Sequence, residues 1–426
     1  MKVLFIHQNF PGQFLHLAPA LAQLPGNQVV ALTMREQVPA QWQNIQVVTY
    51  RAPRKATPGI HRWLADLESK TVLGEACFHA ALELKRQGFE PDCVVAHPGW
   101  GESLFIKDVW PGTKLGIYSE FYYRHEGADS GFDPEFPSKD PGEACRLHMK
   151  NANNLLHWQR ADAGLAPTAW QASTFPAPYA ERIAVIHDGI DTERVAPSAN
   201  AVVKLTSTIG ADRLLTGQDE VITFVNRNLE PYRGYHIFLR ALPRLLRERP
   251  HARILIVGGD KVSYGAAPPP GTTWKETFIR EVRPALSDAD WSRVHFVGRV
   301  AYEDYLRLLQ VSTVHVYLTY PFVLSWSLLE AMSAGCAVVA SNTAPVSEVI
   351  QDHVNGRLFD FFDSEALAST VIALLNNPAL RRSLAANART TIQQHYDLRS
   401  VCLPRQIEWV TQLAGASSTS GNTHHP

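Results

Sequence analysis

Short apolar runs rich in β-branched residues alternate with longer stretches of helical period along most of this sequence. A run that is apolar throughout suits a strand covered on both faces, and its alternation with helices implies βα units around parallel sheets. The runs at residues 3–7, 28–33, 47–50, 93–97, 114–118 and 183–186 predict one series of strands. After the loop HDGID at 187–191, a polar stretch of little periodicity reads as a linker to about Gly217. A second series is predicted at 221–226, 253–257, 294–297, 313–317 and 337–340, with helices at 234–249, 302–310, 327–334 and 364–376. The class is therefore α/β, with two Rossmann-like, doubly wound parallel-sheet domains facing each other across a cleft. Residues 1–200 and 215–395 are the expected domains, and the Ser/Thr/Gly-rich residues 414–426 read as a disordered tail. Pro19 and Pro243 fall inside predicted helices, which should start late, kink or break there.

Composition narrows the function. The chain has 426 residues, 40 Lys+Arg against 41 Asp+Glu, and 45% hydrophobic residues. That is enough to bury cores without disulfides or a structural metal, and it offers no basic surplus for nucleic acid. The cysteines Cys77, Cys93, Cys145, Cys336 and Cys402 form no Cys-x-x-Cys pair and read as small buried hydrophobes in a reducing compartment. The opening MKVLFIHQNF reads as a first strand, not a signal peptide, and no window approaches the roughly 18 apolar residues of a membrane span. A cytoplasmic protein is expected.

In such sheets ligands bind beyond the carboxyl ends of the strands, so the loops there carry the chemistry. In NFPGQF, Asn9 and Gly12 open a strand-to-helix turn, where glycine lets backbone approach a phosphate or sugar, although ordinary turn chemistry explains one glycine equally well. In NRNLEPYRGYHIF, Arg227 and Arg233 flank a turn before Gly234 and suit a forked grip on a diphosphate. In the third loop Ser325, Trp326, Ser327 and Leu328 begin a helix whose free amides would hold phosphate. Glu330 lies too far along that helix to cap it and suits the two hydroxyls of a ribose.

The order of these motifs resembles the donor half of the retaining glycosyltransferases of family 4, which have the GT-B fold. It is carried by Arg227 and Arg233-Gly234, LLEAMSAG at 328–335, and the run SNTAPVSEVI to VNGRLF. VIHDGIDTERV at 185–195 resembles the family's linker signature, and HPGWGES and HQNFPGQF resemble one bacterial subgroup. The resemblance implies that Arg227 and Arg233 neutralise the leaving diphosphate, and that Glu330 is the second Glu of the family's Glu-x7-Glu signature, the ribose contact. The first Glu falls on Phe322, which accepts no hydrogen bond, so the usual grip on the donor sugar is absent there. It also implies that a C-terminal helix, about 396–413, packs back on the first domain.

Relatives often carry a histidine in the loop after the strand at 114–118, where Glu120 is the nearest chemical equivalent; a hydrogen bond within the loop or a salt bridge to Arg124 is the structural alternative. His97, Asp129 and Asp133 are lesser candidates, and Tyr122 and Tyr123 fall with Asn9 and His97 on the acceptor side. Asp288-Ala289-Asp290 has a metal-binding spacing but reads as a helix cap or solvated turn. Arg51, Arg54, Lys55, His61, Arg62 and Trp63 form a basic, aromatic cluster of the kind that rests on the inner membrane, though a solvated face is the commoner fate of such a run.

The expectation is a hexosyltransferase that needs no metal or other cofactor. It would move a sugar from a nucleoside-diphosphate donor to a glycan or lipid-linked acceptor in surface polysaccharide, O-antigen or lipid-linked glycan synthesis, without nucleic-acid partners. The rival readings are a non-catalytic nucleotide-sugar-binding protein, favoured by Phe322, and a sugar-nucleotide epimerase or a phosphorylase of the same fold.

Overall fold

An eight-stranded sheet organises the first half of the chain: β1 (Lys2–Ile6), β2 (Gln28–Thr33), β3 (Gln41–Trp42), β4 (Ile45–Thr49), β5 (Cys93–Ala96), β6 (Lys114–Tyr118), β7 (Ala163–Ala166) and β8 (Ile183–Val185). Their order is β3-β4-β2-β1-β5-β6-β7-β8, parallel except for the short β3–β4 pair. The computed structural model describes residues 1–205 and 213–415. It divides into two units: Met1–Gly131, Pro137–Gly189 and the residues from Arg399 on, then Phe132–Phe136 with Ile190–Leu398.

Successive side chains of a strand point to opposite faces, and in this sheet both faces are apolar. Leu4, Ile6, Val30, Leu32 and Val94 enter one core with Cys77, Ala81 and Leu84 of the helix Ala65–Arg86. Val3, Phe5, Val29, Ala31 and Val95 enter the other with Leu17 and Leu21 of the helix Leu17–Gln23. The helix Leu403–Leu413 adds Trp409, Val410 and Leu413 to that second core. It lies so close to β6 that a Cβ on Gly116 would stand 2.5 Å from the Trp409 ring, an approach only glycine permits.

The second unit opens with an antiparallel hairpin, β9 (Val202–Leu205) and β10 (Arg213–Thr216). The stretch expected as a linker therefore contains strands; its residues 206–212 lie outside the described set. Only Val203 and Leu205 of β9 pack against the core, so the strand's alternation is faint in the sequence. The main segment of the second unit begins at Ile190, within the loop that opens the expected linker. The main sheet follows: β11 (Val221–Asn228), β12 (Arg253–Gly259), β13 (Val294–Gly298), β14 (Val314–Tyr317), β15 (Ala337–Ser341) and β16 (Arg357–Phe359), ordered β13-β12-β11-β14-β15-β16 and parallel throughout. Both units are thus Rossmann-like.

Other expectations need correcting. The helix Tyr235–Glu248 runs through Pro243 without breaking, and Pro19 sits in the first turn of its helix, where no intrahelical N–H is required. Cys145 is exposed on the outer side of the helix Glu143–Arg160, while the other four cysteines are buried. Residues 416–426, read as a disordered tail, lie outside the described set. Among the described residues no helix is long and apolar enough to cross a membrane.

One buried group in the first unit gives the fold a pH dependence. Glu102, 1% exposed in the loop after β5, has no hydrogen-bond partner for either carboxylate oxygen, and burial pushes its carboxyl up to about 7. Between the ordinary carboxyl value and 7 the folded chain holds a proton that the unfolded chain has released. Glu102 therefore costs stability as pH rises through that window, at about 1.4 kcal/mol per pKa unit. Glu102→Gln is expected to raise the melting temperature at pH 8.5 and to change it little at pH 5. An equal shift at both pH values, read by thermal unfolding, would contradict this origin.

Candidate functional site

In each sheet the strand order reverses at one point: between β1 and β5 in the first, and between β11 and β14 in the second. The loops leaving these strands flank the crevice where open α/β sheets bind ligands.

In the first unit these loops, with the one after β6, bring together His7, Gln13, His97 and Glu120. His7 Nδ1 accepts the Asn9 N–H at 2.9 Å and His97 Nδ1 accepts the Gly99 N–H at 3.2 Å. In the neutral rings each proton is thereby assigned to Nε2. His7 Nε2 then donates to Gln13 Oε1 at 2.7 Å, and Gln13 Nε2 donates to Glu120 Oε1 at 3.5 Å. His97 Nε2, buried and without a hydrogen bond, faces Glu120 Oε2 at 3.8 Å. Two imidazoles thus present their N–H groups to one carboxylate, the first through an amide. Burial pushes the Glu120 carboxyl up, but His97, with His7 behind it, outweighs this and holds it below its ordinary value. Burial, then the charge of His97, lowers His7 to about 4, so its ring is neutral at physiological pH.

Gly12 owes its identity to this packing: at φ +48°, a Cβ there would stand 2.3 Å from the His7 ring. Asn9 is exposed. Arg124 makes no salt bridge with Glu120; its guanidinium donates to the Thr174 and Ser173 carbonyls. Tyr122 and Tyr123 are half-buried, anchored through their N–H groups to Thr174 Oγ1 and Asn151 Oδ1, with Lys150 over the Tyr123 ring at 3.6 Å. Asp129 is half-buried on the same loop. Asp133, in Phe132–Phe136, belongs to the second unit. There Asp133 Oδ2 accepts the Tyr320 hydroxyl at 2.6 Å and lies 3.1 Å from His236 Nε2. Asp133, Glu135 and His236 converge as metal ligands would, but Glu135 takes both arms of the Arg240 guanidinium at 2.7 Å.

In the second unit Arg227 is exposed at the end of β11 and makes no ion pair among the described residues. Arg233 is 7% exposed; its Nη1 donates to Thr319 Oγ1 at 2.6 Å and to the Val323 carbonyl at 3.2 Å. No carboxylate stands within ion-pair distance of it among the described residues, so a largely buried cation is anchored by neutral acceptors alone. A buried charge without a counter-ion is costly, and an anionic ligand would relieve that cost. Gly234 is required by the fold: at φ +67° a Cβ would lie 2.4 Å from Leu318.

Ser325 caps the helix Trp326–Ser333, its hydroxyl accepting the Ser327 N–H, and Leu328 is fully buried behind that start. Glu330, 9% exposed, accepts the Tyr302 hydroxyl on Oε1 at 2.6 Å and the Tyr305 hydroxyl on Oε2 at 2.8 Å. Burial raises its carboxyl, partly offset by the two phenols. The sequence signal for this pair is the i,i+3 spacing of Tyr302 and Tyr305 on a predicted helix, which puts both hydroxyls on one face. Phe322 is 5% exposed and packs against Tyr232 and Tyr264, with ring centroids 5.2 and 5.3 Å away.

The remaining sequence candidates are engaged elsewhere. Asp288 and Asp290 pair with Arg283 and Arg293. Arg51, Arg54 and Arg62 pair with Glu36, Glu68 and Asp140, which neutralises much of the basic cluster; Lys55 and His61 are exposed and Trp63 half-buried.

Residues 25–195 match the model of the glycosyl transferase family 4 group, and residues 208–391 that of the glycosyl transferases group 1. The chain is similar to the phosphatidyl-myo-inositol mannosyltransferase of Mycolicibacterium smegmatis, 29% identical over 213 residues, 47% of this chain and 50% of that protein. It thus spans about half the length of the first curated relatives it matches. Among solved structures, sucrose-phosphate synthase from Thermosynechococcus elongatus superposes with a TM-score of 0.67 at 17% identity, over 98% of this chain and 100% of that one. Anabaena HepE in complex with UDP-glucose gives 0.65 at 16%, over 97% and 100%.

The paired phenols make a stability prediction. Tyr305→Phe strips a donor from a buried carboxylate and should cost roughly 1–3 kcal/mol. Thermal or urea unfolding measures it, and an unchanged midpoint would refute the bond's importance.

Proposed function

As the chain belongs to the family 4 type of glycosyltransferases with the GT-B fold, we propose that it transfers a hexose, with retention, from a nucleoside-diphosphate sugar to a hydroxyl acceptor. The observation that carries this reading is Arg233, a largely buried guanidinium tied to Thr319 and Val323 with no carboxylate partner among the described residues. A diphosphate is the natural counter-ion for such a group, and its negative charge grows as the bond to the sugar breaks.

Preorganised positive charge lowers the barrier to that departure without a divalent ion. Arg233 and Arg227 supply it, aided by the positive end of the helix Trp326–Ser333. Glu330 binds the ribose. On the first unit Glu120, kept ionised by His97, is the group suited to orient an acceptor hydroxyl or to balance positive charge at the sugar. HepE was solved with UDP and with UDP-glucose, which makes these the first ligands to try. The acceptor belongs to surface-polysaccharide, O-antigen or lipid-linked glycan synthesis on this reading, at the cytoplasmic face of the membrane.

Phe322 favours one alternative, a protein that binds nucleotide sugars without turning them over, because an apolar side chain stands where the family has its sugar-binding Glu. Incubation with UDP-, GDP- and ADP-sugars and a panel of glycan and lipid-linked acceptors separates the two. Transfer or donor hydrolysis is expected, surviving EDTA and falling roughly 10²–10³-fold in Arg227→Ala, whose exposed site leaves the fold intact. Binding without turnover would establish the alternative, and a strict divalent-metal requirement would overturn the metal-free mechanism.

A further inference from the structure

Glu330 is already occupied. Each of its oxygens accepts a phenol, 2.6 Å from Tyr302 and 2.8 Å from Tyr305, and the Tyr302 hydroxyl stands where a ribose hydroxyl would be received. The two tyrosines are not equivalent. Tyr305 is 8% exposed and belongs to the core, and it fixes Oε2 permanently. Tyr302 is 41% exposed, at the first position of the helix Tyr302–Gln310, and its hydroxyl donates to Oε1. Its ring lies under the Arg194 guanidinium at 4.7 Å, and Arg194 in turn pairs with Glu303 beside it. An exposed aromatic ring with a cation on its outer face can turn outward without opening a cavity, whereas the buried Tyr305 cannot.

We propose that Tyr302 gates the ribose site: its hydroxyl substitutes for a ribose hydroxyl on Glu330 Oε1 and is displaced when nucleotide binds. This rests on the ribose role given to Glu330 above. Tyr302 then sets affinity and ribose selectivity together. A ligand with the matching hydroxyl replaces the lost bond, while a deoxy ligand leaves either the carboxylate or the phenol unmatched. The competition weakens nucleotide binding by the strength of the phenol bond, and it keeps a buried carboxylate satisfied while the site is empty.

The test is isothermal titration of wild type, Tyr302→Phe and Glu330→Gln with UDP, 2′-deoxy-UDP and 3′-deoxy-UDP, repeated with the GDP and ADP series. Removing the competing hydroxyl should tighten UDP, GDP or ADP binding about tenfold. Binding of the analogue that lacks the displacing hydroxyl should be nearly unchanged, so discrimination between the two widens. A hydroxyl that merely supported Glu330 would act in the opposite sense: Tyr302→Phe would weaken all ligands alike, and that result, or equal tightening of all, overturns the gate. If wild type binds UDP, GDP or ADP but Glu330→Gln binds equally well without ribose discrimination, the ribose assignment falls and the gate with it. If wild type binds none of UDP, GDP and ADP, the nucleotide reading itself fails. Melting temperatures of the three proteins guard against misfolding.

Discussion

A parallel sheet covered by apolar packing on both faces leaves its strand ends as the place where polar side chains can gather, and most of the chemistry of this protein follows from that constraint. In the first sheet Val3, Phe5, Leu4 and Ile6 are consumed by two cores, and polarity begins at the next residue, His7. The same switch occurs after β5 at His97 and after β6 at Ser119 and Glu120. In the second sheet it occurs at the end of β11 with Asn226 and Arg227, and after β14 with the loop that Arg233 holds through Thr319 and Val323.

Electrostatics at these strand ends is arranged in opposite senses in the two units. The first presents a carboxylate, Glu120, addressed by imidazole N–H groups whose direction is set by backbone amides at Asn9 and Gly99. The second presents a cation, Arg233, fixed by neutral oxygens, and a carboxylate, Glu330, fixed by phenols. In the second unit the side chains and carbonyl that do the fixing are uncharged. The charge therefore remains available to a ligand instead of being spent in an internal ion pair, as happens to Asp288, Asp290 and the arginines at 51, 54 and 62.

The sheets were largely legible in the sequence because both-face burial writes itself as unbroken apolar runs: 28–33 and 114–118 coincide with β2 and β6. What was missed is where that signal is weak. Ala163–Ala166 reads AGLA, with little β-branched character, and the four-residue strands of the β9–β10 hairpin bury few side chains. The transfer of Phe132–Phe136 to the second unit has no local signature at all, since it depends on Tyr320, His236 and Phe361, distant in sequence. For the site, charged residues in loops stood out, whereas His7, Gln13, Tyr302 and Tyr305 did not. Their importance lies in which atom each one bonds, and sequence spacing carries that information only for the helical pair.

The central claim is that the second unit holds a nucleoside diphosphate through Arg233, Arg227 and Glu330. A crystal structure of the protein soaked with UDP addresses it most directly. The account predicts the diphosphate against the guanidinium of Arg233 at the start of the helix Trp326–Ser333, with a ribose hydroxyl on Glu330. Nucleotide bound elsewhere in well-defined density, with Arg233 and Glu330 untouched, would contradict it.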